Sequence, residues 1–293
     1  MLSIIICSVN PEQLSQIIYD ITETVGIPHE IIAIDNRENP RGIAAVYNEG
    51  TKKARYGHLC FVHEDVVFKS QDWGKKSIEI LNDPAIGLLG IAGGGYKSLA
   101  PSGWYCEELE NPLKSFQYII QGYKFQEKKD LYVNHNPLNE NISEVVAIDG
   151  VWFCTRKEIA EKYPFDEKLL KKFHGYDIDF SLNVRKEYKV MVTYEVLIKH
   201  NSEGSFNKEW LDDILKIHKK WNASLPAYLP QVSEKEIFDT EKRAFKNIID
   251  LMFKLGYPST AILQVLLNSY TSKFMNLRLF SKIYFYYLKR NFG

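Results

Sequence analysis

The sequence predicts an α/β protein: a doubly wound, mixed but mostly parallel sheet flanked by helices, with a C-terminal helical extension. Three observations predict it. The N-terminal third alternates strand and helix signals, its strands are continuous β-branched runs, and helical periodicity takes over after His200.

The elements follow in order. Ser3–Ser8 is the first apolar strand, and Glu12–Thr24 sets Leu14, Ile17, Ile18 and Ile21 at helical spacing. Glu30–Ile34 is the second strand, Ile43–Arg55 a helix, His58–Val62 the third strand, Trp73–Asn82 a helix and Ile86–Ile91 another strand. Regularity stops at Gly93–Gly95, and the segment up to Asn141 reads as a long excursion of the kind that is usually functional or mobile. Glu144–Ile148 resumes a strand. A strand from Val151, a helix at Lys157–Lys162, a helix within Ile178–Glu187 and a strand at Val190–Ile198 complete the first part. Trp210–Trp221 is amphipathic, Pro226 and Pro230 mark a linker, and Glu234–Phe292 reads as two or three helices.

Bulk properties exclude several classes. With Lys and Arg equal to Asp and Glu at 37 each, no global field attracts nucleic acid. Cys7, Cys60, Cys106 and Cys154 lack paired metal-ligand spacing and read as small buried residues in a reducing, cytoplasmic compartment. The opening MLSIIICSVN has no basic segment and runs straight into NPEQ, so it reads as a strand rather than a signal peptide. No apolar stretch reaches the roughly 18 residues that span a bilayer. A dinucleotide-dependent oxidoreductase would need a glycine-rich turn after the first strand, and SVNPEQLS has none.

Four polar clusters stand at the ends of apolar runs: Asp35 after EIIAI, His63-Glu64-Asp65 after HLCFV, Asp177-Ile178-Asp179 after the HGY turn, and His200 after VLIK. A carboxylate just past the carboxyl end of a buried strand faces the crevice where open α/β sheets bind ligands. Gathered by one sheet, the four would hold a divalent cation and a phosphorylated ligand, with Asp65 as a carboxylate ligand and His200 as an imidazole that suits Mn²⁺ better than Mg²⁺. One of Asp177 and Asp179 is expected to be the N-cap of the following helix, leaving the other free to act as a general base.

Five stretches carry a family resemblance: SIIICSVN at Ser3–Asn10, EIIAIDN at Glu30–Asn36, YNEGTKKARYGHLCFVHEDV at Tyr47–Val66, DGVWFCTRKEIAEKYPFDEKL at Asp149–Leu169, and HGYDIDFSLNVRKEYKVMVTYEVLIKH at His174–His200. In this order they resemble the inverting glycosyltransferases of family 2, which have the GT-A fold and use nucleotide-diphosphate sugars, and most of all a divergent glycosyltransferase-like branch. The resemblance implies a catalytic, nucleotide-sugar-binding domain over residues 1–230 and a helical extension over 231–293. It implies donor contacts from Val9, Asn10, Asp35, Asn48, Glu64 and Asp65, and acceptor contacts from Trp152, Asp149 and Tyr176. Asp65 matches the metal-binding aspartate of the DxD motif, His200 a late metal ligand, and Asp177 the catalytic base of the ED motif. The implied cofactor is Mn²⁺ or Mg²⁺, and the implied acceptor is the hydroxyl of a polysaccharide, lipopolysaccharide or other glycoconjugate of the cell envelope.

Two positions depart from the family pattern. His63 replaces the first aspartate of DxD, and Tyr176 replaces the glutamate of ED. A second reading therefore stands beside the first, a nucleotide-sugar-binding or interaction protein that no longer turns over. From Glu241 onward the tail is charge-asymmetric: Lys242, Arg243, Lys246, Lys254, Lys273, Arg278, Lys282, Lys289 and Arg290 oppose only Glu241 and Asp250. Its aromatic, basic helices fit either peripheral contact with the inner face of a membrane or a homo-oligomer interface.

Overall fold

Leu2, Ile4, Ile5 and Ile6 are wholly buried, which makes the first strand a central one, covered on both faces. The structure, a computed structural model, describes residues 1–124, 126–202, 204 and 206–292. The chain order begins β1 (Leu2–Ser8), α1 (Pro11–Thr24), β2 (His29–Asp35), α2 (Ile43–Lys53), β3 (His58–His63), β4 (Val66–Phe68), α3 (Trp73–Leu81), β5 (Ile86–Gly90), β6 (Ala92–Gly94) and β7 (Tyr96–Lys97). It continues with β8 (Phe116–Gln121), β9 (Leu131–His135), β10 (Ile142–Val145), β11 (Ala147–Ile148), β12 (Trp152–Arg156), α4 (Lys157–Lys162), α5 (Tyr176–Val184), β13 (Lys189–Thr193) and β14 (Ile198–His200). The remainder is α6 (Lys208–Trp221), β15 (Ala227–Tyr228), α7 (Glu234–Lys254), α8 (Ser259–Asn268) and α9 (Leu277–Phe292). These form two compact units, Met1–Gly93 with Phe116–Gly204, and Gly94–Ser115 with Ser205–Gly293.

The first unit is the mixed α/β layer that the βα alternation predicts. Its seven-stranded sheet runs β10-β13-β5-β12-β3-β1-β2. β1 pairs in parallel with β2 and β3, β5 in parallel with β13, and β12 lies antiparallel between β3 and β5. Asn10 caps α1 by accepting the N–H groups of Glu12 and Gln13, and Pro11 starts the helix, so Ile17 and Ile21 turn inward. On the other side Tyr47, Phe61, Phe153, Phe165 and Phe180 form an aromatic layer, with Phe61 and Phe153 stacked at 4.9 Å and Phe165 and Phe180 at 4.7 Å.

A second, six-stranded sheet places the polar clusters. It runs β11-β6-β8-β14-β4, with β9 on β8. The expected single strand Val190–Ile198 is interrupted: β13 stays in the large sheet, and β14 crosses to pair with β4 and β8. The His63-Glu64-Asp65 turn is likewise the point where the chain leaves β3 for β4. Two sheet-to-sheet transfers therefore run side by side, in a register that sets His200 opposite Val66. Part of the long excursion becomes β8 and β9, and residues 94–115 belong to the second unit.

In the second unit β7 pairs with β15, and a capping box between Ser233 and Glu236 starts α7. The buried Glu241 carboxylate accepts bonds from Tyr96 Oη at 2.6 Å, Ser98 Oγ at 3.0 Å, and the N–H groups of Leu99 at 2.9 Å and Ala100 at 3.1 Å. His218 of α6 donates from Nδ1 to the Leu99 carbonyl, which leaves Nε2 to accept from Lys97 Nζ at 2.6 Å. Together α6 and α7 thereby fix residues 96–102. Among the described residues no helix is long and apolar enough to cross a membrane.

Candidate active site

Asp65 and His200 meet because His200 ends β14 in register with Val66, the first residue of β4. His200 Nε2 lies 3.6 Å from Asp65 Oδ1. His63, at the end of β3, completes a cluster in which one ligand-capable atom from each of the three residues lies within 4.8 Å of the others. The turn is held through its backbone, since the Asp65 carbonyl accepts from Asn201 N at 3.1 Å and Asn201 Nδ2 at 3.0 Å. The Asp65 carboxylate is thus not needed to close the turn. Burial alone would raise its pKa, but His200 and His63 outweigh that and hold it below its ordinary value. Burial, reinforced by His200, pushes His63 down to about 4, so His63 is neutral near pH 7.

The tautomer of His63 follows from its neighbours. Tyr176 Oη donates its only proton to the Gly150 carbonyl at 3.0 Å. Toward His63 Nε2, 2.8 Å away, it can only accept, so His63 carries its proton on Nε2 and keeps a lone pair on Nδ1. A neutral imidazole with its far nitrogen fixed by a neighbour is the usual form of a metal-binding histidine.

Asp177 stands in the first turn of α5. The expected aspartate N-cap is not what the structure shows. Gly175 is the N-cap, with φ of 80° and no side-chain bond, and this left-handed turn starts the helix at Tyr176. Asp179, two residues on in the same first turn, is buried. Asp177 Oδ2 accepts from the Gly150 N–H at 3.0 Å, and Oδ1 from the Ile178 N–H at 2.8 Å. Burial, then the charge of Asp149, pushes Asp177 up to about 7 against the pull of those N–H groups. Gly150 joins the two halves of the site, with its N–H on Asp177 and its carbonyl on Tyr176. A Cβ there would lie 2.3 Å from Tyr176 Oη, so only glycine fits.

The other sequence-selected residues are placed variously. Glu64 is buried and accepts the N–H groups of Val9 and Asn10, at 3.1 and 3.0 Å, tying the β1 loop to the His63 turn. Val9 is exposed, whereas the Asn10 side-chain oxygen is taken up in capping α1. Asp35 lies opposite Ser8 across the β1–β2 pair, two strands from β3, or about 10 Å laterally at the usual strand spacing. It is exposed, bound to Arg37, and held at about 2 by that partner. Asn48 is a brace, bonded to both the N–H and the carbonyl of Phe165. Asp149 accepts the Val151 N–H at 2.8 Å.

Two acceptor assignments need correction. Trp152 is fully buried, with its ring 6.1 Å from that of Trp73, so it presents no face to an acceptor. Tyr176 is also buried, and its hydroxyl is committed to Gly150 and His63. The open aromatic beside the cluster is Phe173, 48% exposed and 5.2 Å from the His63 ring. Neither Phe173 nor Gly150 is among the residues the sequence singles out, and His63 stands there within the polar cluster after β3 but not as a metal ligand. As a core residue, Trp152→Ala is expected to cost about 3–5 kcal/mol of stability in denaturant unfolding. A loss near zero would return Trp152 to the surface.

The sequence profile of the glycosyltransferase-like family matches residues 3–222. The chain belongs to that family. Solved structures agree on the fold. S. aureus TarS superposes with a TM-score of 0.58 at 10% identity, covering 98% of this chain and 53% of that one. TarS 1–349 gives 0.51 at 10% identity, over 92% and 80%. GalNAc-T7 with UDP, GalNAc and Mn²⁺ gives 0.50 at 12% identity, over 88% and 58%. The chain thus spans little more than half of the TarS and GalNAc-T7 chains, and the fold is the GT-A arrangement. No curated protein matches its sequence.

Proposed function

We propose that this glycosyltransferase moves a sugar from a nucleotide-diphosphate sugar to a hydroxyl of a carbohydrate or glycolipid acceptor, with inversion. The observation that carries the reading is the link from a three-residue cation cluster, through Tyr176 and Gly150, to an aspartate whose pKa is raised to about 7. Two imidazoles and a carboxylate form a donor set suited to Mn²⁺ more than to Mg²⁺. His63 through Nδ1, Asp65 and His200 would hold the ion, which when bound supplies positive charge to diphosphate oxygens.

The protein's own residues supply the rest. Asp177 takes the proton of the acceptor hydroxyl while the new bond forms from the acceptor oxygen to the anomeric carbon and the bond to the diphosphate oxygen breaks. Burial makes Asp177 a stronger base than an ordinary carboxylate, and the N–H groups of Gly150 and Ile178 hold its oxygens in place. Tyr176 is a positioning residue that acts through His63. Val9 and Asp35 border the base and ribose, and Phe173 offers a ring face to the acceptor sugar. The acceptor belongs to a cell-envelope glycoconjugate made on the cytoplasmic side. Inversion follows from a single displacement by one base, as in family 2.

A panel of nucleotide sugars assayed by calorimetry and slow hydrolysis with Mn²⁺ tests the reading. At least one is expected to bind only with the metal and to release a sugar whose anomeric configuration, read by proton NMR, is inverted. Binding without any turnover would leave a nucleotide-sugar-binding protein, and no binding at all would overturn the proposal. Tyr176→Phe is expected to weaken Mn²⁺ about 10–100-fold, the usual cost of losing a ligand's supporting hydrogen bond. Direct Mn²⁺ titration of the variant, with thermal melting alongside, checks it.

A further inference from the structure

We propose that the outward face of α9 is a docking surface for an anionic lipid bilayer. The inward face of α9 is already filled: Leu279, Ile283 and Tyr287 are buried, and Tyr287 stacks near Phe253 of α7 and donates to the Ser259 carbonyl at the start of α8. Arg278, Lys282, Phe285, Lys289 and Phe292 follow the i, i+4, i+7, i+11, i+14 rhythm of a single helical face, and all five are exposed. Leu277 at 75%, Phe285 at 68% and Phe292 at 81% exposure flank the basic row with apolar surface.

The charge pattern selects the occupant. The α9 sequence LRLFSKIYFYYLKRNF contains no acidic residue. The acid that reaches α9, Asp250 of α7, is engaged by Arg290 at 2.8 Å and Tyr286 at 2.7 Å. A second copy of the chain set on this face by a twofold axis would bring Arg278, Lys282 and Lys289 against their own equivalents, which like-charge repulsion disfavours. A planar anionic surface answers both features, with headgroups for the basic row and the boundary of the acyl region for Leu277, Phe285 and Phe292. This surface belongs to the second unit and the residues assigned to transfer belong to the first, so the proposal does not depend on the transfer chemistry.

Cosedimentation of the full chain with vesicles of phosphatidylcholine, alone or mixed with phosphatidylserine, tests it. The chain is expected to pellet with the anionic vesicles only, and less so as salt is added. Each basic residue neutralised should weaken binding about fivefold, so K282Q/K289Q loses about 25-fold. F285S should also weaken it, and that loss should persist at high salt. All three side chains project into solvent, and melting temperature and UDP or GDP binding, measured in parallel, are expected to stay unchanged. Equal binding to neutral and anionic vesicles, no binding to either, or full binding by the variants would overturn the proposal. So would light scattering that shows an oligomer dissolved by F285S.

Discussion

Asp177→Asn is expected to lower the transfer rate by about 10²–10⁴-fold, the contribution typical of a positioned general base. Nucleotide binding should survive, because Asp177 lies in α5 and is not one of the three residues in the cation cluster. The wild-type rate should follow the ionisation of Asp177, with an acidic limb near pH 7 in the pH profile of kcat/KM. Below that pH the carboxyl holds its proton and cannot accept another. Above it the rate levels off, and the limb is absent in the variant. The same shift affects stability. The folded pKa, about 7, is raised above the ordinary 3.8, so the stability associated with the protonated form is complete below pH 4 and is lost as pH rises toward 7. A variant that keeps full activity, or a wild-type profile flat through pH 7, would remove Asp177 from the reaction.

Asp65→Ala is expected to have an effect of similar size on binding rather than on chemistry. Loss of a supporting residue around a metal site costs about 10–100-fold in affinity, and loss of the only carboxylate in the cluster should exceed that. The β3–β4 turn should persist, because Asn201 grips the Asp65 carbonyl and not its side chain. Calorimetry with UDP and GDP in Mn²⁺ and in EDTA separates the cases. The wild type should lose most of its affinity in EDTA, and Asp65→Ala should resemble the EDTA result in both buffers. Unchanged Mn²⁺-dependent affinity in the variant would place the ion elsewhere.

Most of the fold is legible in the sequence because most of it is local. The β-branched run of β1 and the spacing of Ile17 and Ile21 in α1 need no distant partner to be read, and α4 falls on Lys157–Lys162 as its pattern predicts. The break between β13 and β14 is not legible, because VMVTYEVLI reads as one strand-forming run in which only Glu195 is charged. Pairing of β14 with β4 and β8 decides it, and periodicity carries no information about pairing. The site divides in the same way. Asp65 and His200 are found from their positions at strand ends, whereas the part played by His63 depends on a hydroxyl from Tyr176, 113 residues away in sequence. The start of α5 carries its own signal, since the glycine in HGYD takes a left-handed turn without the Cβ strain that another residue would bear there. Family position alone points to Trp152 as an acceptor contact. Its place on β12, between β3 and β5, buries it.

His63, Asp65 and His200 are proposed to share one divalent cation, and pulsed electron paramagnetic resonance of the chain loaded with one equivalent of Mn²⁺ and UDP tests this most directly. Couplings from two imidazole nitrogens are expected, falling to one in His200→Ala and to one in His63→Ala, with both retained in Asp177→Asn. A Mn²⁺ signal without imidazole nitrogen coupling, or one unchanged by either histidine substitution, would contradict it.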